Sequence, residues 1–286
     1  QGPRLATAAD SAATVGDEPW QYYQQFGALG VPVAVAENRQ SGLGLLRRQH
    51  PELTTVVLDD AYQHRRVRPA LNILLTELAR PFYADFVLPA GRLRETRAGA
   101  ARADIIIVTK CPPDLSAAAQ AQIAAQVRRY ARPAVPVLFS AYDYAAPQPL
   151  PVGRDLSGGR SEPMPAAQLP APGPALLLTG IAQPGPLRAH LAAAGYLIVH
   201  HAALPDHHAF QPTDLQALQA HWQPGWPIFT TEKDATRLAA PGLWAGRLAL
   251  ARHTYTIPVR VALLGTGAAQ LRQRLPAQNP GAPVLL

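Results

Sequence analysis

The run Asp104-Ile-Ile-Ile-Val108 limits what this chain can fold into more than any other stretch. Its apolar residues follow one another without the alternation of a strand that has one wet face. A strand of that kind belongs in a parallel sheet covered by helices on both faces. Further short runs read as strands at Val31–Val35, Thr54–Leu58, Leu71–Leu75 and Val135–Phe139. Ser41–Arg48 and Ser116–Tyr130 read as helices, the second with Ser116 as its cap. Alternation of strands and helices predicts an α/β fold. From Ala145 to Pro174 the composition turns to Pro, Gly, Ser and Gln, which predicts a linker. Alternation then resumes with strands at Ala175–Thr179, Tyr196–Val199 and Pro227–Thr230. Helices are expected at Pro186–Ala194 and Thr213–Trp222, the latter capped by Thr213 or Asp214. The expected organisation is a core lobe at 1–144, a linker at 145–174 and a second α/β lobe at 175–286.

Composition sets the outer limits. Of 286 residues, 48% are hydrophobic and 16% charged, which excludes an acidic or polar disordered chain. The 30 prolines are clustered rather than periodic, so collagen is excluded. Cys111 is the single cysteine, so no internal disulfide forms. No apolar run reaches the roughly 18 residues that a membrane-spanning helix needs, and no signal peptide is visible. The formal charge is +7, and lysine occurs only at 110 and 233, so the positive charge is mostly arginine. Arginine's planar fork suits phosphate and carboxylate oxygens. That points to anionic partners, namely nucleotides, nucleic acid, phospholipid surfaces or sugar phosphates, with genomic bias toward Arg, Ala and Pro as the plain alternative.

Five segments hold candidate chemistry. Thr55–His64 is an apolar strand ending in Asp59 and Asp60, followed by Gln63 and His64. Ligands bind at the carboxyl ends of strands in α/β sheets, and a strand-end Asp holds Mg²⁺ in phosphoryl-transfer enzymes. Adjacent carboxylates point to opposite sides of a strand, so one of the two faces a metal directly; an Asx turn is the plain alternative. Leu88–Glu95 fixes a tight turn through Pro89 and Gly91, then presents Arg92, Arg94 and Glu95. Arginine there clamps phosphate oxygens while the Glu ligates a metal or positions a hydroxyl; otherwise the segment is an exposed charged turn. Gly16-Asp-Glu-Pro19 reads as a helix start, or as a source of a carboxylate base for a substrate hydroxyl. Asp206 beside His207 and His208 suits an Asp–His dyad. His200 and His201 lie close by, but the spacing matches no standard zinc signature. Thr230-Thr-Glu-Lys-Asp234 reads equally as a contact to phosphate or base and as a capped helix start. No Gly-Lys pair occurs, so the residues contain no Walker A loop.

In sequence order, Gly16–Pro19, Val35–Arg39, Asp59–His64, Leu88–Glu95, Arg102–Asp104, Thr179–Ile181 with Pro184, Pro205–His208 and Thr230–Asp234 together resemble the tetraacyldisaccharide 4'-kinase family of lipid A biosynthesis. The resemblance covers nearly the whole chain and is weakest in the Pro-rich stretch and after about residue 255. Asp59–Arg65 and Thr109-Lys-Cys-Pro112 are similar to the family's Bacteroidetes branch.

The resemblance implies a P-loop-type parallel sheet with flanking helices in two lobes, and ATP and Mg²⁺ as cofactors. It implies a lipid kinase that moves the γ-phosphate of ATP to the 4'-hydroxyl of tetraacyldisaccharide 1-phosphate. The implied partners are that lipid A precursor and, peripherally, the cytoplasmic face of the bacterial inner membrane, with no nucleic acid. Carried over by motif, Asp17 is the base, supported by His207 with Asp206. Asp59 and Asp60 occupy the Walker B position. Gln63, His64, Arg94 and Glu95 line the phosphate and metal region, with Asp59, Asp60 and Glu95 as Mg²⁺ ligands. Arg39 also faces the site.

Two positions depart from many relatives: Ala61 stands for Gly and Arg92 for Pro. The family's Walker A loop and its membrane-associating segment precede Gly-Asp-Glu-Pro, yet only 15 residues precede Gly16 and the first is Gln. The expectation is therefore a chain truncated at its N-terminus, lacking the P-loop strand, with an exposed sheet edge and little activity alone. Two alternatives stand beside it. One is a non-catalytic remnant that binds a nucleotide or saccharolipid. The other is a metal-dependent phosphohydrolase, against which no Asp-x-Asp nucleophile follows a strand.

Overall fold

The computed structural model of the chain describes residues 2–150, 170–240 and 242–275, with the backbone of 284–285. The chain divides into two compact units. One comprises 1–4, 36–143 and 260–286; the other comprises 5–35 and 144–259. The units thus interleave along the sequence, where the sequential reading had lobes at 1–144 and 175–286.

The first unit is built on a four-stranded sheet in the order Val259–Leu263, Val137–Tyr144, Ile105–Thr109, Ile73–Glu77. The last three strands are parallel, with Ile73 opposite Ile105 and Ile106 opposite Val137. Ile105, Ile106 and Val108 are fully buried. Ile106, Val108 and Phe139 pack with Ala124 and Val127 of the helix Ala117–Arg128. Ile105, Ile107 and Leu138 pack on the opposite face with Leu71, Leu263 and Leu271. Burial on both faces is what the unalternating run requires, and each such side chain contributes roughly 1.5–3 kcal/mol. Ser116 caps the helix, its hydroxyl accepting from the Ala119 amide at 3.3 Å.

The second unit's sheet runs Gln148–Pro149, Thr254–Ile257, Ile228–Thr231, Pro174–Thr179, Leu197–Ala203. Its strands are parallel except Gln148–Pro149, which is antiparallel to Thr254–Ile257. Leu176, Leu178 and Ile228 pack with Leu215, Leu218 and Leu238. Ala175, Leu177 and Phe229 pack with Leu187, Leu191 and Tyr196.

Several expected elements differ in detail. Gln148–Pro149, expected in the linker, is an edge strand, a position where proline's missing donor costs nothing. The rest of that stretch, 151–169, lies outside the described residues. The helix expected from Thr213 spans Pro212–Gln219. Proline occupies its first turn, so the cap falls to Gln211, and Asp214 closes the box by accepting from the Gln211 amide at 2.7 Å. The strand expected at Val31–Val35 shortens to Ala34–Val35, beyond Pro32. That expected at Thr54–Leu58 is Thr55–Val56. Among the described residues no helix is long and apolar enough to cross a membrane.

Two-sided burial gives a direct test. Ile106→Ala is expected to cost about 2–5 kcal/mol. Leu75→Ala, at a side chain 62% exposed, should stay within about 0.5 kcal/mol of wild type. Urea denaturation midpoints decide it; equal losses would contradict the packing.

Candidate active site

In the second unit, Gly16 adopts φ +96 and precedes the helix Asp17–Phe26. Asp17 and Glu18 therefore sit in the first turn, where carboxylates are favoured, and Pro19 follows where its missing donor is harmless. The ordinary helix start is real, and it also delivers Asp17 to a strand end. Its Oδ2 accepts from His207 Nδ1 at 2.9 Å and from Arg237 Nη1 at 3.3 Å. His207 adopts left-handed backbone (φ +60). Its amide donates to the Gly180 carbonyl at 3.0 Å and to Asp206 Oδ1 at 3.1 Å. With Nδ1–H on a carboxylate, Nε2 keeps the lone pair of the neutral ring. Lys233 Nζ lies 3.3 Å from that Nε2 and 3.6 Å from Glu18.

The support beneath this pair is buried. Asp234 is fully buried and the Arg237 side chain is 7% exposed. Arg237 Nη2 bonds Asp234 Oδ1 and donates to the Gly180 carbonyl at 3.0 Å. The Gly180 amide donates back to Asp234 Oδ1 at 3.1 Å. Asp234 Oδ2 accepts from the Thr231 hydroxyl at 2.8 Å, and that hydroxyl accepts from the Asp234 amide at 3.0 Å. Thr231 thus caps the helix Glu232–Leu238, as the Thr-Thr-Glu-Lys-Asp segment suggested. The neighbouring His208 serves the fold instead. Its Nε2 bonds Asp214 Oδ2 at 2.8 Å, beside the Gln211 cap.

In the first unit, Asp59, Asp60, Gln63, His64, Arg94 and Glu95 all line one cleft of about 920 Å³. Asp60 takes left-handed backbone (φ +45), and its Oδ2 accepts from Arg94 Nη1 at 2.8 Å. The loop carrying Arg94 turns at Gly91, where an added Cβ would meet Asp85 Oδ1 and the Phe86 carbonyl at 2.3 Å. Only glycine allows that crossing. Glu95 Oε2 accepts from Arg65 at 3.0 Å and Oε1 from Arg102 at 2.5 Å. Burial pushes the Glu95 carboxyl up, but the hydrogen bonds and charges of Arg102 and Arg65 outweigh it and hold it below its usual range. The Arg102 guanidinium also lies 4.7 Å over the Tyr62 ring. Burial pushes the Tyr62 hydroxyl up to about 12, and it donates to the Gly99 carbonyl at 2.8 Å. Six arginines line the cleft against three carboxylates, a balance suited to a polyanion.

Residues 1–278 match the family described as tetraacyldisaccharide-1-P 4'-kinase. This chain belongs to that family. It is 38% identical over 263 residues to a tetraacyldisaccharide 4'-kinase of Cytophaga hutchinsonii, covering 91% of this chain and 68% of that protein. A namesake from Bacteroides thetaiotaomicron is 36% identical over 281 residues, covering 96% and 72%. The chain thus spans about two thirds of the length of the curated relatives it matches. Its fold is that of LpxK from Aquifex aeolicus, solved in complex with ATP. The TM-score is 0.63 at 21% identity, over 96% of this chain and 74% of that one.

For a tetraacyldisaccharide 4'-kinase family member, the site residues sort by unit. Asp17, Asp206 and His207 share the second; the other six share the first. Sequence reasoning missed Arg237, whose only trace was its spacing of three and four residues from Asp234 and Lys233 on one helix. It also missed Arg102 as the partner of Glu95. Among the described residues no three His, Cys, Asp or Glu side chains group as a metal cage.

The depressed Glu95 carboxyl gives a pH test. Its stabilisation is complete above the ordinary value of 4.5 and is lost as pH falls through the lower folded-state value. Glu95→Gln should therefore lower the denaturation midpoint at pH 7, with the gap to wild type closing as pH falls below the ordinary value of 4.5. A gap independent of pH would contradict the ion pairs.

Proposed function

We propose that this chain carries the proton-accepting and phosphate-side machinery of a lipid A 4'-kinase working at the cytoplasmic face of the inner membrane. ATP supplies the phosphoryl group, and the acceptor is the 4'-hydroxyl of the tetraacylated disaccharide 1-phosphate. The Asp17–His207 pair at 2.9 Å carries the reading. Asp17 Oδ2 is anchored by His207 and Arg237, while Oδ1 makes no hydrogen bond among the described residues. Oδ1 is the atom that takes the hydroxyl proton as the acceptor oxygen bonds to the γ-phosphorus and the bond from that phosphorus to the β–γ bridging oxygen breaks, with ADP as the leaving group. His207 and Asp206 hold the carboxylate's orientation, which is where most of the rate in such a transfer originates.

Mg²⁺ takes one or two carboxylates together with substrate phosphates and water, rather than an all-protein cage. Asp59 and Asp60 fit that donor set and would hold the ion, which neutralises charge on the transferring group. Glu95 we assign to holding Arg65 and Arg102, which take its two oxygens, rather than to the metal. Arg94, Gln63 and His64 complete the phosphate side. The +7 charge supports peripheral contact with an anionic membrane surface, and nucleic acid has no part in this reading.

The test is transfer of ³²P from γ-labelled ATP to tetraacyldisaccharide 1-phosphate by the product of the whole reading frame that contains these residues. Turnover is expected, with Asp17→Asn lower by roughly 10²–10⁴-fold. The 286 residues alone, which contain no Gly-Lys pair, should give little or none. Transfer undiminished by Asp17→Asn would overturn the assignment.

A further inference from the structure

The Asp17–His207 pair of the second unit has a neighbour, Lys233, that the proton transfer itself does not use. Its Nζ lies 3.3 Å from His207 Nε2 and 3.6 Å from Glu18 Oε1. Lys233 occupies the second position of the helix Glu232–Leu238, one turn before Arg237. That is a poor place for a lysine, because the N-terminal end of a helix favours carboxylates and disfavours cations. Glu232 and Asp234 on either side follow that preference, and Lys233 opposes it. A residue that works against its own helix is explained by what it touches. One helix thus presents a cation to each member of the pair, Arg237 to Asp17 and Lys233 to His207.

The His207 ring has three proton arrangements open to it, and its neighbours discriminate among them. Nδ1 faces Asp17 Oδ2 at 2.9 Å, a carboxylate oxygen that only accepts. Nε2 faces the Lys233 ammonium, which only donates, and beyond hydrogen-bond reach Asp206 Oδ2 at 3.8 Å, which only accepts. A ring protonated on Nε2 alone sets acceptor against acceptor at Nδ1 and donor against donor at Nε2. A ring protonated on both nitrogens repairs the first contact but places its charge against that of Lys233. The ring protonated on Nδ1 alone satisfies both near contacts. Without the ammonium, the partner left at Nε2 is Asp206, and a carboxylate favours a proton there.

We infer that Lys233 is a positioning residue that holds His207 as the Nδ1–H tautomer, so that the ring steers Asp17 through a neutral hydrogen bond and not as a cation. An imidazolium beside Asp17 would compete with the acceptor hydroxyl for the charge of the carboxylate. Glu18 steadies the ammonium from its other side. In this role Lys233 moves no proton and touches no reacting atom. The inference rests on the kinase reading and adds to it what sets the protonation of the pair.

The test joins long-range ¹⁵N–¹H NMR of His207 to steady-state kinetics with ATP and tetraacyldisaccharide 1-phosphate, both on the product of the whole reading frame. Wild type should carry the ring proton on Nδ1. Lys233→Met should bring a proton to Nε2 and lower kcat by about 10²-fold, the scale of a misplaced catalytic group. Both KM values should stay within about twofold, because the lost effect is exerted in the transition state. Lys233→Arg should keep the wild-type ring and most of kcat, since a guanidinium also only donates. Methionine is a good helix former and removes a cation from the first turn, so the urea midpoint should not fall. A wild-type ring protonated on Nε2, or a Lys233→Met variant that keeps the wild-type ring or the wild-type kcat, would overturn the inference. So would a Lys233→Met variant that fails to fold, which marks a structural lysine, or a Lys233→Arg variant no better than Lys233→Met. Wild type without turnover would overturn the kinase reading, and the ring spectra would then decide the role of Lys233.

Discussion

The buried Arg237–Asp234 pair is the contact on which the candidate base depends. Removing two charges from water is expensive and is offset only when further hydrogen bonds satisfy both groups. Here the Thr231 hydroxyl and the Gly180 amide complete Asp234, while the Gly180 carbonyl and Asp17 take the two terminal nitrogens of Arg237 and leave its buried Nε without a partner among the described residues. Thr231 ends one strand and Gly180 follows the neighbouring parallel strand. The sheet's register therefore fixes the pair, and the pair fixes Asp17. His207 is tied to the same point, since its amide bonds the Gly180 carbonyl. One backbone residue thus sets the position of both members of the dyad.

The first unit solves a different physical problem. A polyanion needs concentrated positive charge, and arginines in close array repel one another unless carboxylates are interleaved. Asp60 fixes Arg94, and Glu95 fixes Arg65 and Arg102 together. Each carboxylate restricts a long side chain that would otherwise lose rotamer freedom on binding, so the cleft is organised before a ligand arrives. The left-handed backbone at Asp60 and the close crossing at Gly91 are the local costs of bringing the two loops to one place.

What was legible in the sequence was mostly local. The unalternating Ile105–Val108 run required two covered faces, and both are covered. The Asp59-Asp60 pair, which sits in a turn beyond the strand Thr55–Val56, and the Pro-Gly turn before Arg94 are short motifs whose chemistry is written in neighbouring residues, and the cleft gathers all six of their candidate side chains. Gly16-Asp-Glu-Pro19 starts a helix, as its residue types indicate, and the Asp17 carboxylate it offers meets His207. What escaped was set by long-range closure. Arg237 meets Asp17 across 220 residues, and no local pattern encodes that meeting. The cap at Gln211 escaped because Pro212 starts the helix and moves the cap two or three positions back from Thr213 or Asp214, and the interleaving of the two units escaped because composition follows sequence order while packing does not.

The measurement that bears most directly on this account is the tautomer of His207, read from long-range ¹⁵N–¹H NMR of the neutral ring. The geometry calls for the proton on Nδ1, bonded to Asp17, with a bare Nε2 toward Lys233. Wild type should show that state, and Arg237→Met, which frees the Asp17 carboxylate, should give a mixture. A wild-type ring protonated on Nε2, or one indifferent to loss of Arg237, would contradict the claim that the buried pair builds the base.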